Sequence, residues 1–265
     1  MGELWPSDEA TVVSLGLSCW SLVPQEHLRD GGRTHTALSR TQARASITVP
    51  TVDTRQTAFV SARFTTREPS MGEVVMVDIS KLKKDNETRW RNMKADPNLA
   101  NTIDKVATRL LAAAVKTRYQ AVSNKTKVPW SIIAVIHERE ASQSWKANLA
   151  QGDPWNKVSI HVPKGRGPFN SWEDAAIDAL TNCPPFAANW KDWSIGGALT
   201  LLEEYNGLGY AAMGKPSPYI WAATDQYKKG KYVADGHYDP NAIDHQLGCA
   251  ALLARMKQLD PSISF

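Results

Sequence analysis

The sequence predicts a mostly α-helical domain over residues 85–265, preceded by a segment of little regular structure over residues 1–84. Three observations carry this. Apolar residues recur at helical spacing in several stretches beyond residue 95. Those stretches are bounded by recognisable caps and stops. The composition also changes abruptly near residue 70: residues 1–70 hold no Lys, Tyr or Asn but ten Thr and eight Ser, whereas all 17 Lys and all seven Tyr lie beyond residue 80.

The N-terminal 70 residues show no strong period. Ile47 to Phe64 alternates loosely and predicts a short hairpin at best. Met71 then opens MGEVVMVDISKLKKDNETRW, which reads like an ordinary protein start. The first 70 residues are therefore read as an over-long gene start or an arm without function, in preference to a small Thr/Ser-rich binding module.

Asp96-Pro97 reads as a cap followed by Pro near a helix start. Leu99, Ile103, Val106, Leu110, Leu111, Ala114 and Val115 continue it to about Ser123. Asn124 to Lys127 is a polar turn. Pro129 starts a second helix that is apolar nearly all round and hence buried. It ends in His137-Glu138-Arg139-Glu140-Ala141-Ser142. Residues 148–170 form a long Gly/Pro-rich loop, and such loops in compact domains are commonly functional. Ser171 caps a helix over Ala175 to Leu180. Ile195 to Tyr205 is a helix stopped by Asn206-Gly207-Leu208-Gly209. Ser217 to Trp221 is a helical turn, and Lys228 to Pro240 is loop. A last amphipathic helix uses Ile243, Leu247, Ala250 to Leu253, Met256 and Leu259.

Composition narrows the function classes. With 31 basic and 27 acidic residues the net charge is only +4, too weak to demand nucleic acid but suited to a mildly anionic polymer. Cys19, Cys183 and Cys249 fit no disulfide framework and no zinc spacing. No apolar run has membrane-spanning length. Thr11 to Val23 follows an acidic start and reads as no secretory signal, which predicts a protein made in the cytoplasm. Ten Trp is the unusual count, and flat rings cover the apolar faces of sugars, although many Trp fill cores.

The chemistry centres on Glu140. A carboxyl at the end of an all-apolar helix is desolvated, which raises its proton affinity. A carboxyl still protonated near neutral pH is what protonates a glycosidic oxygen. The alternative is a simple ion pair with Arg139, Lys146 or another cation. Glu138 points ~200° away around the helix, so the two carboxyls cannot share one cleft. His137 reads as a satisfied histidine hydrogen-bonded near the acid. His137-Glu138 lacks a second His at 141 and is no zincin helix. Asp235, His237, Asp239, Asp244 and His245 lack a calcium-loop pattern. No metal or other cofactor is expected. The KGRGPF loop is not a phosphate-binding loop.

The stretch IHEREASQSW resembles the catalytic segment of goose-type lysozymes and soluble lytic transglycosylases, and LLEEYNGLGY resembles their second signature. More closely, NLAQGDPW, VPKGRGPFNSWEDAAIDAL, YNGLGY, SPYIW and GKYVADG, in order, are similar to phage and prophage lysozyme-like proteins. The resemblance spans about residues 100–260. It implies a lysozyme-like fold with long cleft loops and cleavage of the β-1,4 bond between N-acetylmuramic acid and N-acetylglucosamine, by hydrolysis or anhydro-sugar formation. It implies Glu140 as general acid, Ser142 as support for acid or sugar, and Tyr205 with Asn206 as the pair that positions the N-acetyl group. Gly207 and Gly209 would admit substrate to the backbone. Two departures stand out: Ala141 follows the acid where transglycosylases often have Ser, and Tyr-Asn-Gly-Leu-Gly lacks their Ala-Gly order.

Asp153 is a candidate second carboxylate, as are Glu203 and Glu204, although Asp153-Pro154 reads more simply as a loop turn and Glu204 as a solvated helix residue. Trp145, Trp155, Tyr210, Tyr219 and Trp221 are the aromatic candidates for a sugar cleft. Lys164 and Arg166 could meet peptide or lactyl carboxylates. The expected partner is the peptidoglycan strand, met by a monomeric phage endolysin released through a separate membrane pore. A chitinase and a non-catalytic wall-binding or virion protein are the competing readings.

Overall fold

The computed structural model describes residues 11–14 and 74–265, apart from 151, 162 and 235. The possible hairpin over 47–64 and Cys19 lie outside the described residues. Strand β1 (Thr11–Ser14) pairs antiparallel with β2 (Val74–Val77), Thr11 opposite Val77 and Ser14 opposite Val74.

The rest is mostly helical. Helix α1 (Ile79–Asn92) is one that periodicity does not single out. Its signal is the cap: the Asp78 side chain accepts from the Lys81 backbone N–H at 2.9 Å. The Asp96 cap is present, over a short turn of 3₁₀ helix at Pro97–Leu99. The single long helix expected beyond it is instead two, α2 (Ala100–Leu111) and α3 (Ala113–Thr126). Ala112 breaks the run with ψ 133°. No Gly or Pro marks that break. Tertiary packing makes it, because α2 lies against the last helix while α3 lies against α4 and α5, and one straight rod cannot serve both directions.

Helix α4 (Trp130–Ala141) starts after Pro129. Its Ile132 to Ile136 are wholly buried, as an all-apolar helix requires. It ends where Ser142 turns left-handed at φ +48°. The described residues of 148–170 carry no helix or strand. Ser171 caps α5 (Trp172–Asn182), and its hydroxyl accepts from the Asp174 N–H. Helix α6 (Ile195–Tyr205) has the expected bounds. It packs closely on α1 because Gly196 leaves room: a Cβ there would stand 2.9 Å from the Lys83 carbonyl oxygen. Two short helices follow, α7 (Gly209–Ala212) and α8 (Pro218–Trp221).

Residues 228–240 are not loop. They hold an antiparallel hairpin, β3 (Lys231–Ala234) and β4 (His237–Asp239), with a register irregularity between Tyr232 and Ala234. The Asp235-Gly236 pair between two short aromatic-bearing runs is the local signal for it. The last helix, α9 (Cys249–Leu259), begins later than its apolar pattern suggests. Ile243 is half exposed and Leu247 packs into the core from the segment before the helix.

Gly248 joins α9 to α8. A Cβ at this position would lie 2.4 Å from the Ile220 carbonyl oxygen and 2.6 Å from that of Ala222. Neither atom can rotate away. Gly248→Ala is therefore expected to cost about 2 to 3 kcal/mol and to lower Tm by roughly 5 to 10 °C in scanning calorimetry.

Candidate functional site

Glu140 lies in the last turn of α4 and is only partly open to solvent. Its Oε1 accepts a hydrogen bond from the Tyr219 hydroxyl of α8 at 2.9 Å. Burial pushes its carboxyl up to about 8, against the Tyr219 hydrogen bond and the charge of Arg139, both of which pull the other way. The expected ion-pair alternative does not hold among the described residues. Arg139 turns instead to Asp244, with Nη2 2.9 Å from Oδ2. Glu138 points elsewhere, as helix geometry requires, and pairs with Arg109 at 2.5 Å.

Two groups from other helices, Tyr205 and Cys249, lie within electrostatic reach of the acid. Tyr205 closes α6 and is wholly buried; its hydroxyl donates to the Leu149 carbonyl at 3.1 Å, tying α6 to the start of the long loop. It lies within electrostatic reach of Glu140, whose charge helps raise its proton affinity after burial. Asn206 follows it and donates through Nδ2 to the Ser217 hydroxyl at 3.4 Å, joining α6 to the head of α8. Cys249 opens α9; burial pushes its thiol up to about 12, with Arg139 and Glu140 both felt there. Ser142 caps α4 through its N–H to the Glu138 carbonyl. Gly207 sits at φ +83° just beyond Asn206, a turn that favours glycine.

The structure brings Glu140, Tyr205 and Tyr219 together. Other candidates go elsewhere. Trp221 has no exposed surface and is a core residue, because α8 presents this face to α9 and α6. Tyr210 is buried; its hydroxyl accepts from the Tyr232 N–H at 3.0 Å and its ring meets Tyr232 and Tyr238 edge-on, so it anchors the hairpin. Trp145 is sandwiched between the Arg118 guanidinium, 3.9 Å from its ring centroid, and the rings of Tyr119, His137 and Trp172. Trp155 is partly buried and donates from Nε1 to the Trp145 carbonyl at 2.8 Å. Arg166 forks onto Asp178 and is not open to a substrate carboxylate; Lys164 is exposed.

His137 is satisfied by one aromatic and one backbone partner. Its Nε2 donates to the Ser144 carbonyl and its Nδ1 accepts from the Tyr119 hydroxyl, each at 3.0 Å. Burial pushes it down to about 4, keeping it neutral. Glu203 is buried against Asn86, with Oε1 unpartnered among the described residues, and burial pushes it up to about 7. Glu204 is not simply solvated: partial burial pushes it to about 7 also. Cys183 and Cys249 are buried and free. No group of His, Cys, Asp or Glu suited to hold a metal ion occurs among the described residues. No described helix is long and apolar enough to cross a membrane.

Asp153 organises the loop. Its Oδ2 accepts from the backbone N–H groups of Ile160 and His161 at 2.9 and 3.0 Å, and its Oδ1 from His161 Nδ1 at 2.7 Å. Burial pushes the carboxyl up, but these donors outweigh it and hold it below the usual range. With both oxygens engaged, the turn reading accounts for Asp153. Asp153→Ala strands two backbone donors and is expected to cost roughly 1 to 3 kcal/mol. Limited proteolysis should then cut within residues 148–170 several-fold faster, with the helical core still protected.

No protein-family model, no curated protein and no solved structure matches this chain.

Proposed function

We propose that the chain is a peptidoglycan-degrading glycosidase of lysozyme-like fold, cleaving the β-1,4 bond between N-acetylmuramic acid and N-acetylglucosamine, with Glu140 as general acid. The observation that carries this reading is the state of Glu140: a partly exposed carboxyl, hydrogen-bonded by a neutral phenol and not neutralised by a cation, with its proton held to about pH 8. Such a group donates its proton to a leaving oxygen at neutral pH. The carboxylate left behind would keep the Tyr219 hydrogen bond and face the positive Arg139, both of which stabilise it as it forms. The substrate class rests on the ordered motifs from IHEREASQSW to GKYVADG, with Tyr205 within electrostatic reach of the acid and Asn206 next to it in sequence.

Two of the candidate second carboxylates are engaged away from the acid. Asp153 is engaged in its loop and Glu203 faces α1. The proposed reaction therefore uses the substrate's own N-acetyl group, as internal nucleophile or as the element that orients a water. The proposed setting is a phage endolysin made in a bacterial cytoplasm and reaching the wall through a separate pore.

Mass analysis of muropeptides after digestion of purified wall tests this. Release of disaccharide-peptides with either reducing or 1,6-anhydro ends is expected, and the end type separates hydrolysis from transglycosylation. Release from chitin but not from wall would move the substrate to N-acetylglucosamine polymers. Wall binding without product would overturn the enzymatic reading.

A further inference from the structure

Arg139 precedes the proposed acid by one residue, yet its side chain leaves the α4 surface for the interior. Its guanidinium carbon stands 4.8 Å from the centroid of the Tyr219 ring. Nη2 donates to Asp244 Oδ2 at 2.9 Å, and Nη1 to the Leu247 carbonyl at 3.4 Å. Both members of the ion pair are almost wholly buried, with side chains 5% and 7% exposed. The Arg139 Nε finds no partner among the described residues.

A buried ion pair is poor evidence for stability, because desolvation of both charges offsets their attraction. An orphan donor makes the arrangement costlier still. Asp244 is itself fixed from several sides. Its N–H donates to the Tyr227 hydroxyl at 3.0 Å, its Oδ1 accepts from the Gln246 N–H at 3.1 Å, and Lys231 Nζ of the hairpin lies 3.6 Å from Oδ1. The pair thus forms a rigid brace behind the Tyr219 ring, whose hydroxyl donates to Glu140.

We propose that Arg139 and Asp244 act together as a positioning unit for the reaction proposed above: the guanidinium braces the Tyr219 ring so that its hydroxyl meets the Glu140 carboxyl, and Asp244 holds and balances that guanidinium. The unit rests on the assignment of Glu140 as the acid. The groups that face the carboxyl are Arg139 from its own helix, Tyr219 from α8, Tyr205 from α6 and Cys249 from α9. Of these only Arg139 is charged at neutral pH, so removing its counter-charge exposes Glu140 to an unbalanced cation.

The test is a ¹³C-carboxyl NMR titration of the full chain labelled at Glu, without substrate, for the wild type, Asp244→Asn and the double variant Arg139→Met/Asp244→Asn. Glu140→Gln assigns the resonance. Asp244→Asn is expected to lower the Glu140 midpoint by about one pH unit, and the double variant to raise it again. The alkaline limb of the pH–lysis profile should move the same way. If Asp244→Asn does not fold, Asp244→Glu replaces it, with a smaller shift expected from the displaced charge. An unmoved Glu140 midpoint in folded variants overturns the proposal. Opposed shifts in a chain that releases no muropeptide support the brace and overturn the glycosidase reading, so the two failures are distinguishable.

Discussion

Glu140→Gln is expected to lower the rate of wall lysis by about 10²- to 10⁴-fold while leaving a protein that is more heat-stable than the wild type at alkaline pH. The two effects have one cause. The folded protein holds the Glu140 proton to about pH 8, far above an ordinary Glu at 4.5. The stability linked to that proton is fully present below pH 4.5 and is lost as pH rises through 8. Gln has the shape of the protonated acid and loses nothing over this window. The advantage of the variant should therefore be absent at pH 4 and grow to the order of 2 kcal/mol by pH 9, discounted for the part of the carboxyl that still meets solvent. Glu203, raised to about 7 by burial, titrates alike in both proteins and cancels from the difference. Turbidity clearing and scanning calorimetry at pH 4, 6 and 9 read both effects. Equal lysis by the variant would remove Glu140 from the mechanism. For the wild type, lysis should fall as pH passes about 8, where the acid loses its proton.

The second large effect falls on stability. Trp221→Ala is expected to cost about 3 to 5 kcal/mol, since a large and wholly buried ring leaves a cavity between α8 and its neighbours. Trp221→Phe should cost less than its size suggests. The Trp221 Nε1–H is buried without a partner among the described residues, and Phe removes that unsatisfied donor along with some packing. Denaturant unfolding measures both. Lysis by Trp221→Phe should keep the wild-type KM, because this ring reaches no sugar. A raised KM with unchanged stability would return Trp221 to the cleft.

The sequence was legible where the determinants are local. Pro129 starts α4, Ser171 caps α5 and Asn206-Gly207 stops α6, each within a few residues of the backbone it governs. The break at Ala112 was not legible, because two packing partners impose it and no residue announces it. The β3–β4 hairpin had a local signal in Asp235-Gly236, obscured by the polar surroundings. At the site, the all-apolar run of α4 pointed to a desolvated Glu140, and the structure places Tyr205 and Tyr219 beside it. Which aromatics face the acid was not legible: Trp145, Tyr210 and Trp221 pack against rings and helices that sequence distance does not reveal. Arg139 and Asp244 are 105 residues apart, and nothing in either neighbourhood names the other.

That separation has a consequence for when the Glu140 carboxyl acquires its unusual proton affinity. The carboxyl comes from α4, its phenol partner from α8, and the counter-charge behind that phenol from the segment entering α9. A partly folded chain presents Glu140 as an ordinary carboxylate, already deprotonated at neutral pH. The raised proton affinity depends on burial and on a phenol supplied by α8, so it arrives only once these C-terminal elements have docked, and local unfolding there removes it.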